Sequence, residues 1–232
     1  MIRIRKGSER GFADHGWLRT HHTFSFAGYQ DPRFTGYRSL RVINDDRIAA
    51  AAGFPTHPHR DMEIITYVVE GALEHRDSMG SGSVIRPGEL QRMTAGSGLT
   101  HSEFNPSDSE ETRLLQIWIL PERQGLEPAY EQKLFDDAGR SGRLRLVASR
   151  DGRDGSLTLH QDASMFAARL DEGQKVRHEI ASGRGVWVQL VRGRVRLDDV
   201  ELEEGDGAAV EEQAALELMG MNEAELLLLD LA

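Results

Sequence analysis

The sequence predicts an all-β protein made of two tandem barrel units with few short helices, and three observations predict it. Short runs rich in Val, Ile, Leu, Thr and aromatic residues recur along the chain, bounded by Gly, Pro, Asn and Asp, as strands separated by tight turns are. The first half contains no strong amphipathic helix. Part of the pattern then repeats: Val69-Glu-Gly-Ala-Leu-Glu returns as Val191-Arg-Gly-Arg-Val-Arg, and Ile85-Arg-Pro-Gly-Glu as Leu202-Glu-Glu-Gly-Asp. Such self-similarity is the mark of one structural unit made twice. The expected domains are residues 1–135 and 136–232.

In chain order, Met1 to Lys6 alternates apolar and basic residues and reads as a strand, where an export signal would have a long apolar run. Residues 2–45 carry His15, Trp17, His21, His22, Phe24, Phe26 and Tyr29. These are expected to pack an N-terminal arm onto the barrel, with the lining of a pocket mouth as the alternative. Leu40 to Ile43 reads as a strand and Ala49 to Ala52 as a turn or edge. From Glu63 a β-branched run stops at Gly71, and Ala72 to Arg76 is its hairpin partner. Asp77 to Ser83 is a glycine-rich turn. It lacks the following Lys-Ser/Thr and the helix that a phosphate cradle needs. Ser83 to Ile85, Leu90 to Met93 and Arg113 to Leu120 supply further strands, separated by Pro87-Gly88 and Ala95 to Gly98. Residues 121–143, with a short helix expected at Ala129 to Phe135, form the crossover between domains. Eight more short strands follow, from Leu144 to Ala148 through Glu225 to Leu229.

Composition excludes several functions. With 28 Lys plus Arg against 38 Asp plus Glu, the formal charge is -10, so no general attraction to nucleic acid or anionic membrane is expected. The absence of Cys removes disulfides and thiolate metal sites and suits a reducing compartment. Any metal must be held by nitrogen and oxygen. No apolar run approaches the roughly 18 residues that span a bilayer, so a soluble, cytoplasmic protein is expected.

The chemistry-bearing stretch lies between Gly53 and Asn105. Two doublets, His57-Pro58-His59 and His101-Ser102-Glu103, bracket strand-like sequence. Members of each doublet are two residues apart, and on a strand both then look to the same side. If the two strands lie together with these faces inward, three imidazole nitrogens and one carboxylate oxygen can converge on one ion and leave coordination positions open. The bland alternative is chance: among nine His some fall two apart on a surface. Aligning the repeats on Gly71 and Gly193 sets Glu179 and Ala181 against His57 and His59. Aligning Gly88 with Gly205 sets Leu218 and Gly220 against His101 and Glu103. The second copy is therefore expected to lack every ligand, giving one divalent transition metal per chain, in the N-terminal half.

The run Gly53-x3-His57-x-His59-x3-Glu63-x7-Gly71, followed by Gly88-x5-Thr94-x-Gly96-x4-His101-x3-Asn105, resembles the two-part cupin signature. In most cupins the Glu six residues before the closing Gly is a ligand, whereas Glu63 sits seven before Gly71, and Glu103 offers the replacement carboxylate. Gly53 to Glu63, Thr100 to Pro106, Asp14 to Leu18, His22 to Phe26, Arg41 to Asp45, Gln116 to Trp118 and Asp154 to Ser156 together resemble the pirins over nearly the whole chain. The resemblance implies a bicupin of two jelly-roll barrels, an iron-type site held by His57, His59, His101 and Glu103, and a degenerate C-terminal cupin. Compact bacterial members are similar to quercetin 2,3-dioxygenases, which implies a flavonol substrate, O2 and release of carbon monoxide.

On that expectation the flavonol hydroxyl meets the metal and Glu103 acts as ligand and base. The resemblance implies Fe(II) first, whereas nitrogen and oxygen ligands by themselves suit Fe, Mn, Co, Ni, Cu or Zn. A monomer is expected. Two rivals stand beside the dioxygenase: a metal-binding regulatory protein with a protein partner, as pirins of higher organisms are thought to be, and a cupin isomerase of small polar substrates. Among other residues, His75 is expected on the hairpin surface, and His160 and His178 at the surface of the ligand-free half. Arg60 and Asp61 either orient the doublet or are ordinary surface charge, and Glu63 is expected to face the cavity without touching the metal.

Overall fold

A computed structural model describes residues 1–232. Strands β1 (Ile2–Arg5), β2 (Gly11–Asp14), β3 (Leu18–His22), β4 (Leu40–Ile48), β5 (Gly53–His59) and β6 (Glu63–Glu70) lead the chain. They are followed by β7 (Leu73–Asp77), β8 (Gly82–Ile85), β9 (Glu89–Thr94), β10 (Leu99–Phe104), β11 (Thr112–Ile119) and β12 (Ala129–Leu134). After the short helix α1 (Asp137–Arg140) come β13 (Arg145–Ser149), β14 (Leu157–Thr158), β15 (Ala163–Leu170), β16 (Lys175–Glu179) and β17 (Gly185–Arg192). The last are β18 (Arg194–Leu197), β19 (Val200–Glu203), β20 (Gly207–Val210), β21 (Ala215–Gly220) and β22 (Ala224–Leu231). No helix is long and apolar enough to cross a membrane.

The chain forms two compact units, and they do not follow chain order strictly. The first contains Gly11–Leu134 with Leu157–Gln161; the second contains Met1–Arg10, Phe135–Ser156 and Asp162–Ala232. Two segments therefore lie outside the domains expected at 1–135 and 136–232. β1 belongs to the second unit because it pairs with the edge of β20, Ile2 opposite Val210, which carries Ile2 and Ile4 to that unit's core. Residues 157–161 belong to the first because buried Glu63 accepts the His160 amide and Glu131 accepts that of Thr158. His160, expected in the ligand-free half, thus sits beside Glu63.

In the first unit a large sheet runs β12-β9-β6-β11-β4-β3-β2 and a small one β5-β10-β7-β8. Their inner faces meet in an apolar cluster of Leu18, Ile48, Val68 and Leu114 with Leu73 and Ile85. Each such side chain contributes about 1.5–3 kcal/mol on burial. A second cluster holds Ile64, Met93, Ala95 and Leu99. Between the two clusters the large sheet turns polar. His22, Asn44, Gln116, Thr66, Gln91 and Gln132 stand directly opposite one another across successive strands, and residues so paired share a face.

The helix expected at Ala129 to Phe135 is instead strand β12 over Ala129–Leu134, paired along its whole length with β9. Local propensity is weak, and the open edge of β9 offers hydrogen bonds that an isolated short helix cannot match. The second unit repeats the plan, with sheets β1-β20-β17-β22-β15-β13 and β16-β21-β18-β19. Its hairpin turn at Gly193 has φ 76°, that of the first unit at Gly71 φ 74°. Only glycine adopts such values without strain, which is why these positions anchor the repeat in the sequence.

Candidate metal centre

The doublets meet because β5 and β10 are neighbours, with His101 directly opposite His57 and Leu99 opposite His59. β5 is the edge of its sheet, so Pro55 and Pro58, which cannot donate to a ladder, are tolerated there. Between His101 and Glu103 the register slips, leaving Glu103 opposite Phe54. The extra residue in β5 is a bulge of the kind that re-aims side chains at active sites. Gly53 permits the approach, since a Cβ there would stand 2.2 Å from the Glu103 carbonyl oxygen.

Donor atoms of His57, His59 and His101 lie within 4.8 Å of one another. A second group at the same limit joins Glu103 to His101 and His75. The structure thus brings His57, His59 and His101 together, and sets Glu103 in a neighbouring group with His101 and His75.

Hydrogen bonds fix which nitrogens carry protons. The Pro55 carbonyl accepts from His57 Nδ1 at 2.8 Å, leaving the Nε2 lone pair exposed. Asp77 Oδ2 accepts from His75 Nε2 at 3.1 Å, so His75 Nδ1 is an acceptor towards His101 Nδ1, 3.5 Å away. His101 Nε2 is then also a lone pair, and it faces His57 Nε2 at 3.1 Å. Two lone pairs at that distance repel. A cation between them removes the repulsion, so the donor set fits a divalent transition metal. Burial, reinforced by His57, lowers the His59 pKa to about 4. Burial and the neighbouring His57, His59 and His75 lower that of His101 to about 2. Both rings are neutral and able to bind metal near pH 7.

Glu103 is buried. Burial pushes its carboxyl up to about 7, against hydrogen bonds from Gln116 and Thr66, while nearby Asp46 pushes it further up. Gln116 Nε2 donates to Oε2 at 2.9 Å, and Thr66 Oγ1 lies 3.5 Å from Oε1. The polar row of the large sheet therefore aims a carboxylate on the facing sheet.

His75 is not a surface residue. It is fully buried between Asp77 and the face of Tyr130, with ring centroids 4.9 Å apart, and it supports His101 from behind. The alternation Leu73-x-His75, with Leu73 in the core, was the sequence signal for this. Asn44, Asp46, Thr66 and Gln116 were equally visible as polar residues in apolar strands. Glu63 does not line the cavity: it is buried beside Arg92 and His160, and burial raises its pKa. Arg60 is exposed, and Asp61 accepts the Gly125 amide at 2.7 Å.

Above the histidines opens a cavity of about 450 Å³, lined by Trp17, Leu18, Phe26, Phe54 and Trp118 together with His57, His59 and Glu103. His15 and His22 also line it, so the N-terminal aromatics include pocket walls. His21 instead packs on Phe12, Phe24 is buried, and Tyr29 stacks on His22.

Two cupin barrels, one carrying convergent histidines beneath an aromatic cavity, define a metal-binding bicupin. Residues 4–119 match the Pirin family model, and residues 146–231 match the model of the quercetinase C-terminal cupin domain. This chain belongs to the pirin family. It is 50% identical to quercetin 2,3-dioxygenase of Escherichia coli K12 over 231 residues, covering 100% of this chain and 99% of that one. It is 40% identical to a pirin-like protein of Caulobacter vibrioides, covering 100% of both. The crystal structure of the bacterial pirin YhhW from Escherichia coli in complex with nickel(II) superposes with TM-score 0.95 at 49% identity, covering 100% of this chain and 99% of that one.

Proposed function

We propose that this protein is a dioxygenase that opens the heterocyclic ring of a flavonol such as quercetin with O2 and releases carbon monoxide. His57, His59, His101 and Glu103 are the proposed ligands of one metal per chain, with Fe(II) as the proposed ion. One observation carries the reading: His57, His59 and the buried Glu103 line a cavity with aromatic walls, and His101 belongs to a donor group with the two histidines and to another with Glu103. The name of the Escherichia coli relative supports the substrate class, and the nickel complex of a close relative supports a single transition metal.

A bound divalent metal supplies Lewis acidity that lowers the pKa of a substrate hydroxyl. The chain does the rest. Trp17, Phe26, Phe54 and Trp118 offer apolar faces to a planar ring system and exclude water from it. Glu103, buried in the cavity wall, is the carboxylate placed to take the hydroxyl proton. Gln116 and Thr66 hold its two oxygens during the transfer.

The test is O2 uptake and carbon monoxide release with quercetin, using metal-free protein reloaded with Fe(II) and, in parallel, Mn, Co, Ni, Cu and Zn. Metal-dependent carbon monoxide, lost in His101→Ala, is the expected result. Turnover that persists without O2 indicates an isomerase instead. No turnover with a fully loaded site moves the reading to a partner-binding protein.

A further inference from the structure

Asp46 has no part in the metal set. It lies on β4 two residues beyond Asn44, opposite Thr20 of β3 and Leu114 of β11, and so on the inner face. It lines the cavity, its exposure is 4%, and although the Thr20 hydroxyl opposite favours its ionised form, its Oδ1 has no partner in hydrogen-bond geometry. Its neighbour Asp45 faces the other way and is held by Arg113 in two bonds of 3.0 Å. No such cation serves Asp46, because neither Lys nor Arg lines the cavity. A buried carboxyl oxygen left unpaired is costly. It persists in a folded protein where a ligand completes it.

The ligand's chemistry follows from the surroundings. Aromatic walls select a flat, apolar body. A carboxyl against the edge of that body needs a partner that donates to the ionised form and can also accept from the protonated form. A hydroxyl does both; an ether or a halide does not donate. Asp46 and Glu103 line the same cavity, so one bound molecule can reach both acids.

We propose that Asp46 determines specificity by pairing with a second substrate hydroxyl, so that the cavity takes planar aromatics bearing at least two hydroxyls, one at Glu103 and one at β4. This rests on the flavonol reading above and deepens it. A site built around a hydrogen bond to a hydroxyl rejects the analogue lacking it, because its own polar group is then left unpaired.

The experiment uses full-length protein loaded with Zn(II), under argon, so that binding is read without turnover. Quenching of Trp17 and Trp118, both in the cavity wall, reports affinity for 3-hydroxyflavone, which has one hydroxyl, and for galangin, kaempferol and quercetin, which have several. Wild type is expected to bind at least one polyhydroxylated flavonol about tenfold or more tightly than 3-hydroxyflavone. Asp46→Ala is expected to bring that ratio close to one, and Asp46→Asn to an intermediate value. Zinc content and circular dichroism of the variants confirm the fold. A wild-type ratio near one, or a ratio unchanged in Asp46→Ala, overturns the assignment of Asp46 while leaving the flavonol reading standing. Failure of every flavonol to bind, 3-hydroxyflavone included, overturns the flavonol reading and this inference with it.

Discussion

The two barrels share one strand plan and differ in what fills them. In the first, Asn44, Gln116, Thr66 and Gln91 stand opposite one another across the large sheet. In the second, the same ladder positions hold Phe166, Leu228, Val188 and Ala208, of which the last three belong to one continuous apolar core against which Phe166 packs. The register also places Val176 opposite Leu218, as His57 is opposite His101, and His178 opposite Leu216, as His59 is opposite Leu99. The sequence alignment that set Glu179 against His57 is thus corrected by three residues, because the connection after β16 is longer than that after β5. The second copy has not lost everything: His178 occupies the place of His59. Asp230 Oδ2 accepts from its Nε2 at 2.7 Å and its ring packs on Phe166, while Val176 and Leu218 replace the other two histidines. A barrel keeps its fold when its interior is apolar; it gains a site only when polar side chains are arranged to support one another.

The largest effect expected from breaking this difference is on metal content. His101→Ala should drop bound metal from about one per chain to near zero, read by elemental analysis, while His178→Ala should leave it unchanged. Equal losses would mean that the second barrel also holds metal. Next comes an exchange of interiors. Leu228→Gln, which imports the first barrel's residue into an apolar core, should cost about 2–5 kcal/mol in urea unfolding. The reverse change, Gln116→Leu, should cost the metal-free protein much less and lower activity about 10–100-fold, because Glu103 loses its aim. His75→Phe should weaken metal binding by about 10–100-fold in competition titrations, with His101 still present but without its fixed tautomer.

The smallest effect is on pH dependence. Glu103 binds its proton more tightly folded than unfolded, with a pKa raised from 4.5 to about 7. The stability it contributes to the metal-free protein is complete below about 4.5 and is lost as pH rises through about 7. Glu103→Gln should therefore raise the Tm of metal-free protein by about a few degrees at pH 8 and by less at pH 5. Because the second barrel has no acid at this place, with Gly220 at the aligned position of β21, a pH slope that survives this change must come from elsewhere, Asp46 first.

The sequence by itself determined most of the strands, the hairpin glycines, the duplication and the four residues proposed as ligands. These depend on local rules: alternation of side chains, positive φ at Gly71 and Gly193, and doublets whose members share a face. Elsewhere the tertiary structure decided. The edge of β9 made a strand of Ala129–Leu134, and the edge of β20 drew β1 into the second unit. Burial turned His75 from an apparent hairpin surface residue into the support of His101, and made Asp46 a buried carboxyl facing a cavity. Whether a polar side chain meets water, a partner or an open cavity depends on strands far apart in the chain, and no spacing along the sequence carries that information.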